Sequence, residues 1–335
     1  MNISVVGGGS WGISLANVLV DNGHNVTMYL RDKEQCEYIQ KEGHSPKYLK
    51  DFVFPQTLQL KTSLEDAIVN AEMILMVVPL QQLQDVLQKM TPFVTKKMIL
   101  VNASKGIHFK TLKTASELVE DILPGQPYAV LSGPSHAEEV SKRLLTSVVS
   151  CSSDVEIAKV VQDAFMNDYF RVYVHTDVRG VEIAGALKNV VAIASGLLSG
   201  LEQGDNARAA LISRGLFEIF KLAKKMGCDM QTFMGLAGVG DLIVTATSVH
   251  SRNYRAGILL GKGCSVEELE KEIGMVVEGI MTTQSAHTLA KMHGVEMPIT
   301  NALYAVLFEG KNPEKAVMEL MKRSKKHEFL EKMEL

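Results

Sequence analysis

The stretch "VVGGGSWG" (residues 5–12) sets Gly7, Gly9 and Gly12 in the order G-x-G-x-x-G. An apolar run, "NISVVG" (2–7), leads into it, and a helix-like segment, 10–22, follows. In such a turn the first glycine permits the tight bend and the second lets a pyrophosphate approach the backbone. The third allows close packing of helix on strand, while the helix N-terminus offers N–H donors and positive dipole. The pattern alone is weak, but here a second strand, "NVTMYL" (25–30), follows after about 20 residues, the context a dinucleotide site requires.

Working outward, "MILMVVP" (73–79), "MILVNAS" (98–104) and "YAVLSG" (128–133) read as further strands apolar on both faces. Near-continuous apolar runs of this kind indicate a parallel sheet covered by helices. Helical segments at 80–91 and 111–123 separate them, and "TSVVSCSS" (146–153) and "RVYVHT" (171–176), with a helix at 155–166, extend the rhythm. The expected fold is α/β, a Rossmann-type, doubly wound and mostly parallel sheet. From about Arg179 strand signals stop. Helical periodicity then runs onward, broken by turns at 200–206, 235–241, 261–265 and 309–313. The boundary is expected near 177–180, giving a dinucleotide-binding domain over 1–178 and an all-helical substrate domain over 179–335. Helix 180–200 opens the second.

A length of 335 residues also favours two domains. A net charge of −3 supplies no basic field to draw nucleic acid or anionic lipid. The basic run "KRSKKH" (322–327) reads as a solvated helix terminus. Four cysteines lie far apart, which suits a reducing cytoplasm, and the nine histidines show no ligand spacing, so no metal site is expected. The chain enters a strand at once, leaving no room for a signal peptide. The apolar stretch after Asn189 spans about 12 residues before Glu202, short of the roughly 20 that a membrane span needs. The expectation is a cytoplasmic protein with no membrane span.

The end of the second strand bears on the cofactor. An acid there would bond the ribose hydroxyls of NADH, whereas an arginine accommodates the 2′-phosphate of NADPH. Arg31 comes first and Asp32 second. That order leans towards NADPH and keeps NADH open.

"GALKNVVAIASGLLSG" (185–200) sets Lys188 inside an apolar helix, where an ammonium is costly to bury. Its neighbours three and four residues away, Ala184, Gly185, Val191 and Ala192, are mostly small, with Ser195 one turn further on. Ile183, Val190 and Leu197 lie opposite. The helix alone favours a lysine snorkelling to solvent, and the alternative is an amine standing in a shallow trough that admits a ligand. An enclosed lysine beside other cations would exchange protons near neutrality, as reduction of a ketone to an alcohol requires.

Other segments carry polar groups with double readings. Asp241 in "GVGDLIVTATSVHSRN" (238–253) could be an N-cap for "LIVTA". Ser251 could cap the following helix, leaving Arg252 and Asn253 in its first turn as a phosphate site. Lys105 in "NASKG" and Gly133 and Ser135 in "SGPSHAEE" fall at strand carboxyl ends, the binding edge of such a sheet. Ser135 with Glu138 also reads as a capping box.

Together "GGGSWG", "SKG", "SGPSHAEE", "GALKNVVAIASG", "GDNARAALISRGL", "GLAGVGDL", "SRN" and "VVEG" occur in one order from residue 3 to about 325. In these stretches the chain resembles the bacterial NAD(P)-dependent glycerol-3-phosphate dehydrogenases. The resemblance implies reversible reduction of dihydroxyacetone phosphate to sn-glycerol 3-phosphate, ahead of phospholipid synthesis, and a helical domain of the 6-phosphogluconate-dehydrogenase type. It implies Lys188 as proton donor and acceptor, with Lys105, Gly133, Ser135, Asp241, Ser251, Arg252 and Asn253 on the substrate. Ser10, Trp11, Arg31, Lys105, Ala137, Arg252, Val276 and Glu278 match cofactor contacts, beside the glycines of the turn. Asn189 and Thr245 match positions that touch substrate in the eukaryotic relatives. Ser135 stands where some relatives carry Thr, which keeps the hydroxyl. The expected arrangement sets the triose between the nicotinamide and Lys188, with Asp241 orienting and balancing the lysine and the phosphate on Arg252 and Asn253. A homodimer is the assembly allowed for. Two alternatives are a hydroxy-acid dehydrogenase of the 3-hydroxyisobutyrate type, whose substrate bears a carboxylate, and a silent dinucleotide sensor.

Overall fold

Strand β1 (Asn2–Val6) alternates its apolar side chains between two cores, Ile3 and Val5 on one face of the sheet and Val6 on the other. Strand β4 (Met73–Met76) does the same, so the centre of the sheet is buried on both faces, as its sequence requires. In the computed structural model, which describes residues 1–325, 327 and 328, eight strands form one sheet in the order β3-β2-β1-β4-β5-β6-β7-β8. They are β2 (Asn25–Tyr29), β3 (Gln59–Lys61), β4 (Met73–Met76), β5 (Ile99–Asn102), β6 (Tyr128–Ser132), β7 (Thr146–Cys151) and β8 (Phe170–His175). All pairings are parallel except β6 with β7, which is antiparallel. The expected Rossmann-type sheet is therefore present, with a reversal at β7.

Several elements differ from expectation. Strand β3 and the helix Lys33–Glu42 were not foreseen. The former is three residues long, mostly exposed at the sheet edge, and has no apolar run. The helix expected from residue 111 starts at Ala115, because Leu112 takes a left-handed φ of 58° and the Glu117 carboxylate accepts the Thr114 N–H at 2.9 Å. The turn expected at 235–241 is instead a π-helical turn, Leu236–Gly240, running into the helix Asp241–Thr247.

The chain divides into two units. Met1–His108 with Lys113–Glu182 form the first, and Phe109–Leu112 with the chain from Ile183 onward the second, so the division falls within the helix Val178–Gly200. That helix, called the lysine helix below, has 23 residues and is long and apolar enough to cross a membrane by length and composition, contrary to the short apolar stretch expected. It is buried from Gly180 through Leu198, as a core helix is. The basic run at 322–327 begins at the end of the helix Pro313–Met321 and is exposed where described; Lys326 and residues 329–335 lie outside the described residues.

Within the second unit the lysine helix lies against the helix Arg252–Gly261, the arginine helix, at a distance that only glycine allows. A Cβ at Gly196 would stand 2.0 Å from the Tyr254 carbonyl oxygen, and one at Gly257 2.0 Å from that of Ile193. Gly200 and Gly261 repeat the contact one turn along. Backbone atoms here are in direct contact, so the arginine helix has a fixed height against Lys188.

The helix Pro298–Phe308 is held at its N-terminus by buried Glu218, whose carboxylate accepts the N–H groups of Ile299 (2.7 Å) and Thr300 (3.2 Å). Burial pushes this carboxyl up to about 7 against those bonds, from 4.5. A folded-state value above the unfolded one means that the fold binds the extra proton, so this contribution is full below pH 4.5 and is lost as pH rises through about 7. We expect Glu218→Gln to flatten the fall in unfolding free energy over that window, by an amount on the order of 3 kcal/mol, in urea titrations at successive pH values.

Candidate active site

In the first unit the glycine turn has the three properties its spacing calls for. Gly7 takes a φ of 127°, and a Cβ there would lie 2.4 Å from the Val77 carbonyl oxygen. A Cβ on Gly12 would lie 2.0 Å from the Gly7 carbonyl oxygen, which is the close packing of helix on strand. Around Gly9 nothing comes within 4 Å of that position, so the middle glycine faces open space. The helix Ser10–Asp21 starts directly after it with no side chain capping its N-terminus. A tight bend, a bare approach and a free helix start fit the pyrophosphate of a dinucleotide. Ser10 begins that helix, Trp11 is half-buried against the core, and the Ala137 carbonyl accepts Ser14 Oγ at 2.8 Å, which ties the helix to the segment after β6. Arg31 is exposed beyond β2. Asp32 caps the next helix instead, its carboxylate accepting the Gln35 N–H at 3.1 Å.

At the carboxyl ends of β5 and β6 three expected residues converge. Lys105 Nζ donates to the Gly133 carbonyl at 3.2 Å, and Ser135 Oγ donates to the same oxygen at 3.0 Å. Gly133 takes a φ of 148°, and a Cβ there would stand 2.9 Å from Val148 Cα, so no other residue fits. The capping box expected of Ser135 and Glu138 is absent. The helix Ala137–Val140 has His136 at its N-cap and no side-chain cap, because the Ser135 hydroxyl is turned back to Gly133.

In the second unit Lys188 is only 5 % exposed and Asp241 1 %, which overturns the snorkelling reading. The Lys188 ammonium donates to the Asp241 carboxylate and, at 2.8 Å, to Thr245 Oγ1. Both partners project from one face of the helix Asp241–Thr247, four residues apart. Asp241 is not an N-cap: Gly240 holds that position, and the acid is spent on the lysine. The small residues beside Lys188 and the bulky ones opposite it are alike buried. Two turns along the same helix, Ser195 Oγ donates to the Ala246 carbonyl at 2.7 Å, so the lysine helix is bonded to the aspartate helix at two levels. Gly238, in the π turn, sits where a Cβ would lie 2.3 Å from the Phe233 carbonyl oxygen, and this close seat delivers Asp241 to the lysine.

The start of the arginine helix forms the remainder. Ser251 caps it, accepting the Tyr254 N–H at 3.2 Å. Arg252 is exposed and donates from Nη1 to the Val276 carbonyl at 3.4 Å. Asn253 Oδ1 accepts the Gly279 N–H at 2.9 Å, where the helix Glu278–Met292 begins. Ser251, Arg252, Asn253, Val276 and Glu278 are thus gathered in one place. Asn189 joins them through its carbonyl, 2.9 Å from the Cβ position of Gly279. Sequence reasoning set Ser195 on the Lys188 face without giving it a role, and it missed Gly279. For Ser195 the seven-residue spacing from Lys188 was the available signal; for Gly279 it was a glycine inside a helical pattern.

A mostly parallel sheet whose first turn fits a pyrophosphate, in a chain whose helices enclose an ionisable side chain, suits the class of nicotinamide-dependent dehydrogenases. Residues 2–158 match the family model described as the NAD-dependent glycerol-3-phosphate dehydrogenase N-terminus, and residues 177–318 that of its C-terminus. The glycerol-3-phosphate dehydrogenase [NAD(P)+] of a Thermoanaerobacter species is 51 % identical over 98 % of this chain and 99 % of its own. That of a Bacillus cereus strain is 52 % identical over 97 % of both. The solved glycerol-3-phosphate dehydrogenase of Coxiella burnetii, 38 % identical, superposes with a TM-score of 0.93 over 96 % of this chain and 99 % of its own. The chain belongs to the NAD-dependent glycerol-3-phosphate dehydrogenase family. It is an NAD(P)-dependent oxidoreductase with a small-molecule substrate.

Removing one member of a buried ion pair leaves the other charge without compensation. Asp241→Ala is therefore expected to lower the unfolding free energy in urea by about 3–5 kcal/mol, well beyond an exposed carboxylate such as Asp205.

Proposed function

We propose that this enzyme reduces dihydroxyacetone phosphate to sn-glycerol 3-phosphate, reversibly, and so supplies the glycerol phosphate backbone of phospholipids in the cytoplasm. The observation that carries the reading is the buried pair of Lys188 and Asp241, flanked in the same unit by the capped start of the arginine helix. An ammonium enclosed in this way is a proton source kept out of bulk water. Full-length likeness to enzymes named for glycerol 3-phosphate supports it over a hydroxy acid or a silent sensor.

A nicotinamide held by the first unit would, when bound, provide the hydride that C2 of the ketone takes up. Lys188 Nζ gives a proton to the oxygen on that carbon, so that the C=O double bond becomes a C–O single bond with one new C–H and one new O–H bond, and the amine regains its proton from water. In the reverse direction Lys188 takes the hydroxyl proton. Asp241 and Thr245 hold the ammonium in one direction and spare the substrate the task of orienting it. Arg252 and Asn253 bind the phosphate with the free N–H groups of their helix, a site for a dianion that a carboxylate substrate would use less well. Lys105, Gly133 and Ser135 act as substrate contacts of the first unit. Gly7, Gly9, Ser10, Trp11, Gly12, Arg31 and Ala137 hold the dinucleotide, with Lys105, Arg252, Val276 and Glu278 contributing. On this reading residues 1–178 form the dinucleotide-binding domain, and the helical part from 179 onward binds the substrate. Exposed Arg31, with Asp32 committed to its helix cap, supports acceptance of NADPH as well as NADH. A homodimer is the proposed assembly.

Absorbance at 340 nm with dihydroxyacetone phosphate, run with NADH and with NADPH, tests the reading, and no oxidation with either would refute it. Lys188→Ala should lower kcat by roughly 10²–10⁴-fold with NADPH affinity little changed. Arg252→Ala should act chiefly on KM for dihydroxyacetone phosphate, and an unchanged KM removes Arg252 from the phosphate site.

A further inference from the structure

Asn253 is held in one orientation by a residue that no role has yet been given. The Gly279 N–H points at its side chain at 2.9 Å. A backbone N–H can only donate, so the atom it meets is the amide oxygen, and the usual ambiguity between the two ends of an asparagine is lifted. The Nδ2 group is turned the other way, and among the described residues no hydrogen bond engages it. Asn253 retains 8 % of its exposure. It stands in the first turn of a ten-residue helix beside exposed Arg252, where free N–H donors favour an anion.

Position 279 has no room for anything larger. A Cβ there would lie 2.7 Å from Asn253 Oδ1, 2.9 Å from the Asn189 carbonyl oxygen and 2.6 Å from Ile193 Cδ1. The isoleucine tip can move aside, but the Asn189 oxygen belongs to the backbone of the lysine helix, one residue from Lys188. An added methyl must therefore displace either the asparagine amide or the contact between helices. Gly279 also begins its helix one residue after Glu278, so its N–H has no partner inside that helix and is free to serve the amide.

We propose that Gly279 is a positioning residue: by holding Oδ1 of Asn253 it presents Nδ2 as a fixed donor to a phosphate oxygen of the substrate. This rests on the phosphate site assigned above and deepens it. An asparagine free to flip must give up its other orientation when it turns its NH2 to the dianion; one locked by Gly279 already offers only N–H. The same lock explains why an asparagine serves here and an aspartate would not. A carboxylate would still accept from Gly279 but would aim a second, negative oxygen at the phosphate.

The test is steady-state kinetics with dihydroxyacetone phosphate varied at saturating NADH, together with thermal melting, on Gly279→Ala, Asn253→Ala, Asn253→Asp and the Gly279→Ala/Asn253→Ala double variant. Asn253→Ala is expected to raise KM for dihydroxyacetone phosphate about tenfold, and Gly279→Ala about fivefold with KM for NADH held within about twofold. The double variant should raise KM no further than Asn253→Ala does, because the amide that Gly279 holds is already gone, while strain of the added methyl against the Asn189 carbonyl and Ile193 should show as a lower melting temperature. Asn253→Asp should melt within a few degrees of the parent, about the shift of a minor stability change, yet raise KM above that of Asn253→Ala. Effects that multiply in the double variant, or an Asn253→Asp KM no higher than that of Asn253→Ala, would overturn the proposal. Should Gly279→Ala fail to fold, the two Asn253 variants decide it alone. If the parent enzyme turns over dihydroxyacetone phosphate but Asn253→Ala leaves its KM unchanged, this inference falls and the activity stands. Absence of that turnover in the parent enzyme would remove the proposed function and this inference with it.

Discussion

The second unit is organised around one buried charge. Taking an ammonium out of water costs several kcal/mol even after relaxation, and a single carboxylate recovers that only when geometry and further hydrogen bonds are right. Asp241 and Thr245, one turn apart on one helix, supply both. Their positions depend on the π turn before them, which depends in turn on the bare Gly238. Ser195 fixes the same pair of helices two turns away. A hydrophobic pair of similar volume would hold these helices at least as well. Under the proposed reaction, chemistry at the amine gives an ion pair in such a place a purpose that stability does not.

Around that charge the chain uses glycine to bring backbones together. Gly196 and Gly257 set the arginine helix directly on the lysine helix, and Gly279 brings a third helix to the same level. In the first unit Gly7, Gly12 and Gly133 serve the same purpose at the sheet's carboxyl edge. In each case a methyl group would meet a backbone atom, which cannot rotate away as a side chain can. The two units thus share a logic: rigid backbone contact places the functional groups, and side chains fill what remains. Tightly packed supports of this kind hold reacting groups to tolerances that loops do not.

The sheet was legible because its central strands are apolar on both faces, and that pattern leaves few alternatives. The edge strand β3 was not, since a three-residue, mostly exposed edge needs no apolar signature. The reversal of β7 was hidden as well, because parallel and antiparallel strands buried on both faces carry the same pattern. At the candidate site, the spacing of the first glycines marked the tight turn that the structure shows, and the oddity of Lys188 marked it for attention. Asp241 was expected to orient and balance that lysine, but its own segment does not reveal the pairing. Asp241 at the start of a helix has the form of a cap, and only the tertiary fold shows that its carboxylate is taken by a lysine 53 residues away. The same limit applies to Ser135, whose spacing to Glu138 suggested a capping box that the fold replaces with a bond to Gly133. Local patterns report what a residue could do within its own segment; long-range partners decide what it does.

The most direct measurement of the central claim is a crystal structure of the enzyme with NAD+ and dihydroxyacetone phosphate. Lys188 Nζ should lie within hydrogen-bonding reach of the C2 oxygen, about 2.6–3.2 Å, while still bonded to Asp241. A C2 oxygen bonded to another donor, with the Lys188 amine still turned wholly to Asp241 and Thr245, would contradict it.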